Sequence, residues 1–437
     1  MHRRAPARGF GDRWQVDRAG GQVIVRVGRR VGWGIADQTA SSLTNFALGI
    51  VVASQTTTAS FGAFSLAFVT YLLVLNVGRA IVTLPLMIRY SGLDAGVPHD
   101  AVRAGSGTGL AVGVASGVVC VGVGIVVGGP FGAALFGLGI GLPGLILQDT
   151  WRFAFFAGGR DRSAFVNDIV WVAVLVPAFA VLIANGARDA MPFIVAWGGA
   201  ASVAAGAGVV QSGVIPDPTR AMAWVRRHSD FIPQFTLETG ARMGSSQLTY
   251  YVIGLVGGLV VVGAIRAGEL VLGAFNVLFQ GIHLIALPEG ARLLRQSRGD
   301  LVRWAILLSA VLSAAAAAFG IACLLIPDWA GQAALGESWT PARMVLPVLV
   351  LSLVGYVVAS GAGVGLRALG AANRLLRVSV LTSMVTLAAG FAGVQLGAAA
   401  GAAWGLAVGS WFGAVISWVE FRSASSNLVP EVVAEGR

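Results

Sequence analysis

Stretches of about 20 apolar residues, the length a helix needs to cross a bilayer core, follow one another from residue 32 to residue 419. No other feature restricts this chain as much. Inside a bilayer each backbone N–H and C=O must find a partner in the protein, so segments of this kind fold as helices. Of the 437 residues, 56% are hydrophobic and 11% charged, whereas soluble domains carry about 25% charged residues. The fold class expected is therefore an all-α polytopic membrane protein. Twelve spans are expected, near 32–54, 61–85, 105–128, 131–155, 164–185, 191–213, 239–260, 268–288, 303–326, 344–364, 375–396 and 399–419.

All thirty basic residues are Arg. Without Lys the chain has no G-x-x-x-x-G-K-[ST] phosphate loop and no Schiff-base nucleophile. The formal charge of +10 follows the loops and does not point to nucleic acid. With the N-terminus in the cytoplasm, the external loops hold only Arg188, Arg266 and Arg343. Such a bias sets orientation and predicts both termini in the cytoplasm. Cys120 and Cys323 lie in apolar runs and read as packing residues. The first thirty residues lack the apolar core of a signal peptide. The expected organisation is a basic tail (1–31), an N-lobe of six spans (32–213), a connection with an interfacial helix at "AMAWVRRH" (214–238), a C-lobe of six spans (239–420) and a second cytoplasmic tail (421–437).

The halves show a faint internal repeat. Aligning Gly62 with Gly263 sets an offset of 201, which also places Asp37 on Glu238 and Arg79 on Gln280. Asn76 and Asn276 differ by 200, and Pro85 and Pro288 by 203. Six spans return the chain to the side it left, so the repeats are parallel, about an axis along the membrane normal.

Polar residues interrupt several spans with helical spacing. Asp37, Ser41, Thr44 and Asn45 share one face, as do Glu238, Arg242, Ser245 and Thr249. Asn76, Arg79 and Thr83 line up in the second span, and Glu269, Asn276, Gln280 and His283 in the eighth. A charge at midplane costs about 2.5–3.5 kcal/mol on insertion scales, so these faces point into a bundle or a water-filled cavity. Plainer readings compete with that one. Ser, Thr and Asn also join helices. Arg79 could snorkel, and Glu238 with Arg242 is an i,i+4 pair. Asp149, Arg152 and Asp168 read as ion pairs at the cytoplasmic rim, and Gly109, Gly113 and Gly117 as a packing ridge.

The stretch "DQTASSLTNFALGIVVASQTTTASFGAFSLAFVTYLLVLNVGRAIVTLPLMIRYS" resembles the N-terminal region of polysaccharide transporters. These are oligosaccharide flippases of the multidrug/oligosaccharidyl-lipid/polysaccharide, MATE-like, exporter superfamily. The resemblance implies two six-helix lobes around a central cavity, alternating access and no enzymatic activity. It implies an undecaprenyl-diphosphate-linked saccharide or related glycolipid as substrate, the lipid bilayer as surroundings and polysaccharide-assembly enzymes as neighbours. Arg79 and Arg242 would hold the diphosphate. Asn45, Asn76, Asn276 and Gln280 would bind sugar hydroxyls, and Asp37 would bind the coupling H+ or Na+. No other cofactor and no metal is expected. The alternatives are a cation-coupled multidrug exporter of the same fold and, less favoured, a membrane glycosyltransferase or polymerase, for which the external loops are short.

The Arg distribution makes a direct prediction. Reporter fusions after Asn185 and after Ala398 should report the outside, and a fusion after Arg162 the cytoplasm. A cytoplasmic signal at Asn185 would rule out the twelve-span arrangement.

Overall fold

The computed structural model describes residues 46–91, 97–230 and 232–426, with the backbone alone at 237–246, 276–278, 280, 281 and 283–285. Every regular element among them is helical. In chain order, α1 is Phe46–Gln55, α2 Thr58–Tyr90, α3 His99–Val127, α4 Gly129–Ala157, α5 Asp161–Ala184 and α6 Ala190–Ser212. A short α7, Ala221–Arg227, lies in the connection. The stretch Ile232–Gln296 is broken at Gly258 (φ 80°, ψ 175°) into α8 and α9. Then come α10, Arg298–Leu324, α11, Asp328–Leu335, α12, Trp339–Val358, and α13, Ser360–Ala368. The stretch Ala372–Ser426 turns at Gly397 and Ala398 into α14 and α15. Counting α12 with α13 as one, the described residues hold eleven helices of membrane-spanning length, and α1, ten residues long where described, covers about 15 Å.

Gly258 shows why one span boundary differs from the expected one. The turn between spans seven and eight was expected at 261–267, with Arg266 in an external loop. The chain turns earlier, at the one residue whose φ of 80° suits glycine. Arg266 therefore lies about 12 Å inside α9, eight residues from the turn at 1.5 Å each. Its charge marked a half-buried pair inside the bundle and not a loop.

Close backbone contact holds the N-lobe hairpins together. A Cβ on Gly113 would stand 2.9 Å from the Leu142 carbonyl oxygen, and one on Gly117 2.5 Å from that of Gly139. The expected ridge is thus the α3–α4 interface, where small residues let helices approach without a hydrophobic force to drive them. Trp197, Phe193 and Trp171 fill the N-lobe core. Ile253, Phe275, Phe279 and Leu346 fill that of the C-lobe.

The two lobes meet where α2 crosses α9. A Cβ on Gly62 would lie 1.9 Å from the Leu259 carbonyl oxygen, and one on Gly263 2.1 Å from the Thr58 carbonyl oxygen. Thr58 and Leu259 are themselves 201 apart, so each half presents the same glycine to the same backbone position of the other. The helix-initiating Thr57 corresponds at that offset to the break at Gly258. The repeat is thereby visible as a reciprocal contact, with a two-fold pseudo-axis between the paired glycines. This end of the bundle is called distal below. The opposite end carries the connection.

The connection is strapped to the N-lobe. Its Trp224 indole donates to the Ile81 carbonyl at 3.0 Å. Ile81 lies in a π-turn of α2, Arg79–Thr83, where a widened turn leaves backbone groups without their usual partners. Arg89 pairs with Asp230, Arg103 with Asp217 at 3.6 Å, and Arg220 with Asp100 at 3.1 Å. His228 is fully buried, stacked on Trp224 with ring centroids 4.1 Å apart. Its Nδ1 donates to the Trp224 carbonyl at 2.9 Å.

Burial, with the charges of Arg89 and Arg227, pushes His228 below the usual imidazole range, against the opposing pull of its hydrogen bond to the Trp224 carbonyl and, less, of Asp230. The unfolded chain then binds the proton more readily than the folded one. The contribution of His228 to docking is full above about pH 6.5 and is lost as pH falls below it. Amide exchange over 221–230, corrected for intrinsic rates, should lose protection between pH 7.5 and 5.5. His228→Gln should flatten that profile, and unchanged protection in the wild type would refute the assignment.

Candidate functional site

Two polar assemblies lie inside the bundle. The first belongs to the N-lobe. Asp149 and Arg152 lie on α4, three residues apart, and Gln148 and Arg152 share a face at i,i+4. Gln148 and Arg152 turn toward α5, and Asp149 turns toward α2. Arg79 in the π-turn meets Asp149 as a fork, Nη2 to Oδ1 at 2.7 Å and Nε to Oδ2 at 3.1 Å. Its guanidinium also stands 5.1 Å from the centre of the Phe153 ring. Arg152 Nε lies 3.7 Å from Asp168 Oδ2, and Gln148 donates to Asp168 Oδ1 at 2.8 Å. Asn167, fully buried, donates to the Ala204 carbonyl at 2.8 Å and to Gln211 at 3.1 Å.

Of the three residues expected in rim ion pairs, Arg152 and Asp168 do pair, whereas Asp149 takes Arg79 as its partner. The reason is helical geometry: neighbouring positions on α4 face different helices. Asp149 also lies about 12 Å from the end of α4 at Ala157, deeper than a rim. A bidentate Arg–carboxylate pair is among the stronger polar contacts available to a protein.

The second assembly surrounds a cavity of about 960 Å³ between α1–α2 and the C-lobe helices α8, α9, α12, α14 and α15. Its N-lobe wall is aromatic, with Phe46, Phe61, Phe64 and Phe68. Its C-lobe wall carries hydroxyls. Ser379, Thr382, Ser383 and Thr386 follow one face of α14 at i, i+3, i+4 and i+7, and Ser410 and Ser417 answer from α15. Ser352 and Ser410 hydroxyls meet at 2.8 Å. Thr386 donates to the Thr382 carbonyl and Ser417 to the Gly413 carbonyl, which leaves both oxygens as acceptors. The Thr382 hydroxyl has no partner among the described residues.

The charges described on these walls are one pair. Arg266 Nη1 meets Glu269 Oε2 at 2.8 Å, and Tyr250 donates to Glu269 Oε1 at 2.6 Å. The guanidinium stands 5.1 Å from the centre of the Tyr250 ring. Neither the trio nor the hydroxyl face was expected from the sequence. The hydroxyl spacing in "SVLTSMVT" is the sequence signal for that face.

The expected site residues fall in three groups. Arg79 and Asn76 are described and do not line the cavity; Asn76 donates to the Leu72 carbonyl of its own helix at 2.7 Å. Glu238, Arg242, Asn276 and Gln280 lie on α8 and α9 where only the backbone is described. Asp37 and Asn45 lie outside the described residues. Among the described residues no three His, Cys, Asp or Glu gather as metal ligands do.

No protein-family model matches the sequence, and no curated protein matches it. Solved structures do. An inward-facing multidrug resistance MATE family transporter of the MOP superfamily is similar over 88% of this chain and 94% of its own, with TM-score 0.64 and 13% identity. A MATE in complex with MaL6 is similar over 92% and 96%, with TM-score 0.52 and 12% identity. A MATE in the bent conformation is similar over 92% and 95%, with TM-score 0.50 and 13% identity. At these identities the likeness is one of fold. The chain is an all-helical, multi-pass membrane protein with a MATE-like, two-lobed architecture.

A double-mutant cycle tests the Arg79–Asp149 pair. Arg79→Leu and Asp149→Leu should each lower the melting temperature in detergent by leaving one charge without its partner. The double variant should melt above the value that additivity gives, by a coupling of more than about 1 kcal/mol. Additive losses would show that the two side chains do not act as a pair.

Proposed function

We propose that this protein is a transporter of the bacterial plasma membrane that moves a lipid-linked oligosaccharide, or a related cell-envelope glycolipid, by alternating access. The observation that carries this reading is the division of the cavity. One wall is aromatic, the other is hydroxyl-bearing, and the only charges described on either are the mutually neutralised Arg266 and Glu269. Such a lining suits a large, hydroxylated, amphiphilic solute. Aromatic faces receive apolar chain and sugar rings, while hydroxyl oxygens exchange hydrogen bonds with sugar hydroxyls. The fold supports alternating access, and the positive-inside bias supports termini in the cytoplasm.

On this reading Arg79 acts as an internal brace for Asp149 and not as a diphosphate ligand in the state described. Arg242 and Asp37 keep their proposed parts, diphosphate binding and H+ or Na+ coupling. Export of cationic drugs is the second reading. It is favoured by Glu269, a carboxylate in an aromatic cavity, and by the multidrug transporter among the similar structures.

One assay separates the two. A polyprenyl-diphosphate disaccharide with a fluorescent sugar is placed in proteoliposomes, and its arrival in the opposite leaflet is followed by lectin capture. Replacing Ser379 and Ser383 by Ala and Thr382 and Thr386 by Val should slow flipping about tenfold at unchanged protein level, equivalent to about 1.4 kcal/mol of lost binding in the transition state. Ethidium efflux from the wild type, with no saccharide flipping, would establish the second reading instead.

A further inference from the structure

The lobes touch most closely at a point that the function proposed above does not use. Gly62 and Gly263 press against the Leu259 and Thr58 carbonyl oxygens, with Cβ positions 1.9 and 2.1 Å from them. No side chain fits either place, so glycine is required here while the helices stay crossed. The next residue toward the chain start, Phe61, lines the cavity. The crossing is therefore the cavity's distal roof. Two further contacts span the lobes at the same end. The Thr58 hydroxyl donates to the Glu337 carbonyl at 3.3 Å. Gly336, at φ 54°, brings its Cα so near the Ser54 carbonyl that a Cβ would lie 2.5 Å from the oxygen. Deeper in, the hydroxyls of Thr70 on α2 and Tyr251 on α8 are hydrogen-bonded, and Tyr251 packs edge-on against Phe131 at the distal end of α4.

We infer that the Gly62–Gly263 crossing is the external gate of this transporter and that the segment 328–338 is its latch. The inference rests on the alternating-access reading, since a gate is needed only if the cavity opens to both sides. Several features fit a surface built to part. The contacts are reciprocal about the pseudo-axis, so separation of the lobes breaks both at once. At the crossing itself they are made by glycines and backbone, and the side-chain contacts beside it, Tyr251 with Phe131 and with Thr70, carry no charge. The latch bonds are single and neutral, and each donor can turn to water when the lobes separate. Trp197 and Phe275 lie in separate apolar clusters, and the apolar contacts that cross between the lobes, Leu335 and Trp339 with the first cluster and Leu66 with the second, part when the gate opens.

The test needs no substrate. In a chain with Cys120→Ala and Cys323→Ala, the variant Leu72→Cys places one thiol in the cavity wall. A membrane-impermeant maleimide is applied to spheroplasts, which present the outside, and to inverted vesicles, which present the inside. With the native glycines, labelling should be at least tenfold faster in inverted vesicles. Adding Gly62→Val and Gly263→Val should reverse the preference, because a side chain there forbids the closed crossing. Gly78→Ala, whose Cβ would meet only the Ile146 and Val112 side chains at 3.4 Å or more, should leave it unchanged. A second arm bridges Thr58→Cys to Glu337→Cys by oxidation. The locked protein should lose external labelling and keep labelling from the inside. An unchanged preference in the folded valine variant, or external labelling that persists after locking, would overturn the gate. If the valine variant does not fold, the locking arm decides alone. Sided labelling that behaves as described, with no saccharide flipping, would reject the proposed substrate and leave the gate standing.

Discussion

Two helices from opposite halves of this chain touch through bare backbone, Gly62 on the Leu259 carbonyl and Gly263 on the Thr58 carbonyl. Much else follows from that contact. It fixes where α2 and α9 cross, and so where the aromatic wall of one lobe faces the other lobe. It closes one end of the space between them. It also explains why the offset of 201 is visible in sequences that otherwise share little, because a glycine at a carbonyl crossing admits no substitute.

Charge inside the bundle follows a second constraint. An ion in low dielectric is costly unless paired, and the buried or half-buried charges described obey it: Arg79 with Asp149, Arg152 with Asp168, Arg266 with Glu269. The consequence for the cavity is chemical. With Arg266 and Glu269 neutralising each other, the remaining polar lining is hydroxyl, which binds by exchanging hydrogen bonds and not by net charge. The same pairing makes Arg79 part of the N-lobe frame. It joins the π-turn of α2 to α4 two residues from Ile81, whose carbonyl holds Trp224 of the connection. The π-turn of α2, an internal ion pair and the docked connection are thus one connected piece of structure.

Much of the architecture was legible in the residues themselves. Apolar runs of bilayer length define helices whatever surrounds them, because an unpartnered backbone group in lipid leaves no alternative. The long helices followed from that, and the packing ridge at Gly109, Gly113 and Gly117 followed from its spacing. The offset between Gly62 and Gly263 was visible too, as an alignment without a meaning.

What those glycines touch was decided only by the tertiary structure. The same holds for the partner of Arg79, since Asp149 is seventy residues away and one position on α4 separates a face toward α2 from a face toward α5. It holds for Arg266, whose charge suggested a loop until Glu269 and Tyr250 were seen beside it. It holds for the hydroxyls of α14, which have helical spacing in the sequence but gain a role only once α14 lines a cavity. Local periodicity is a property of the chain, so the sequence determined the helices. Pairing of charges and closure of a space depend on which helices become neighbours, and the packing of the two lobes settled that.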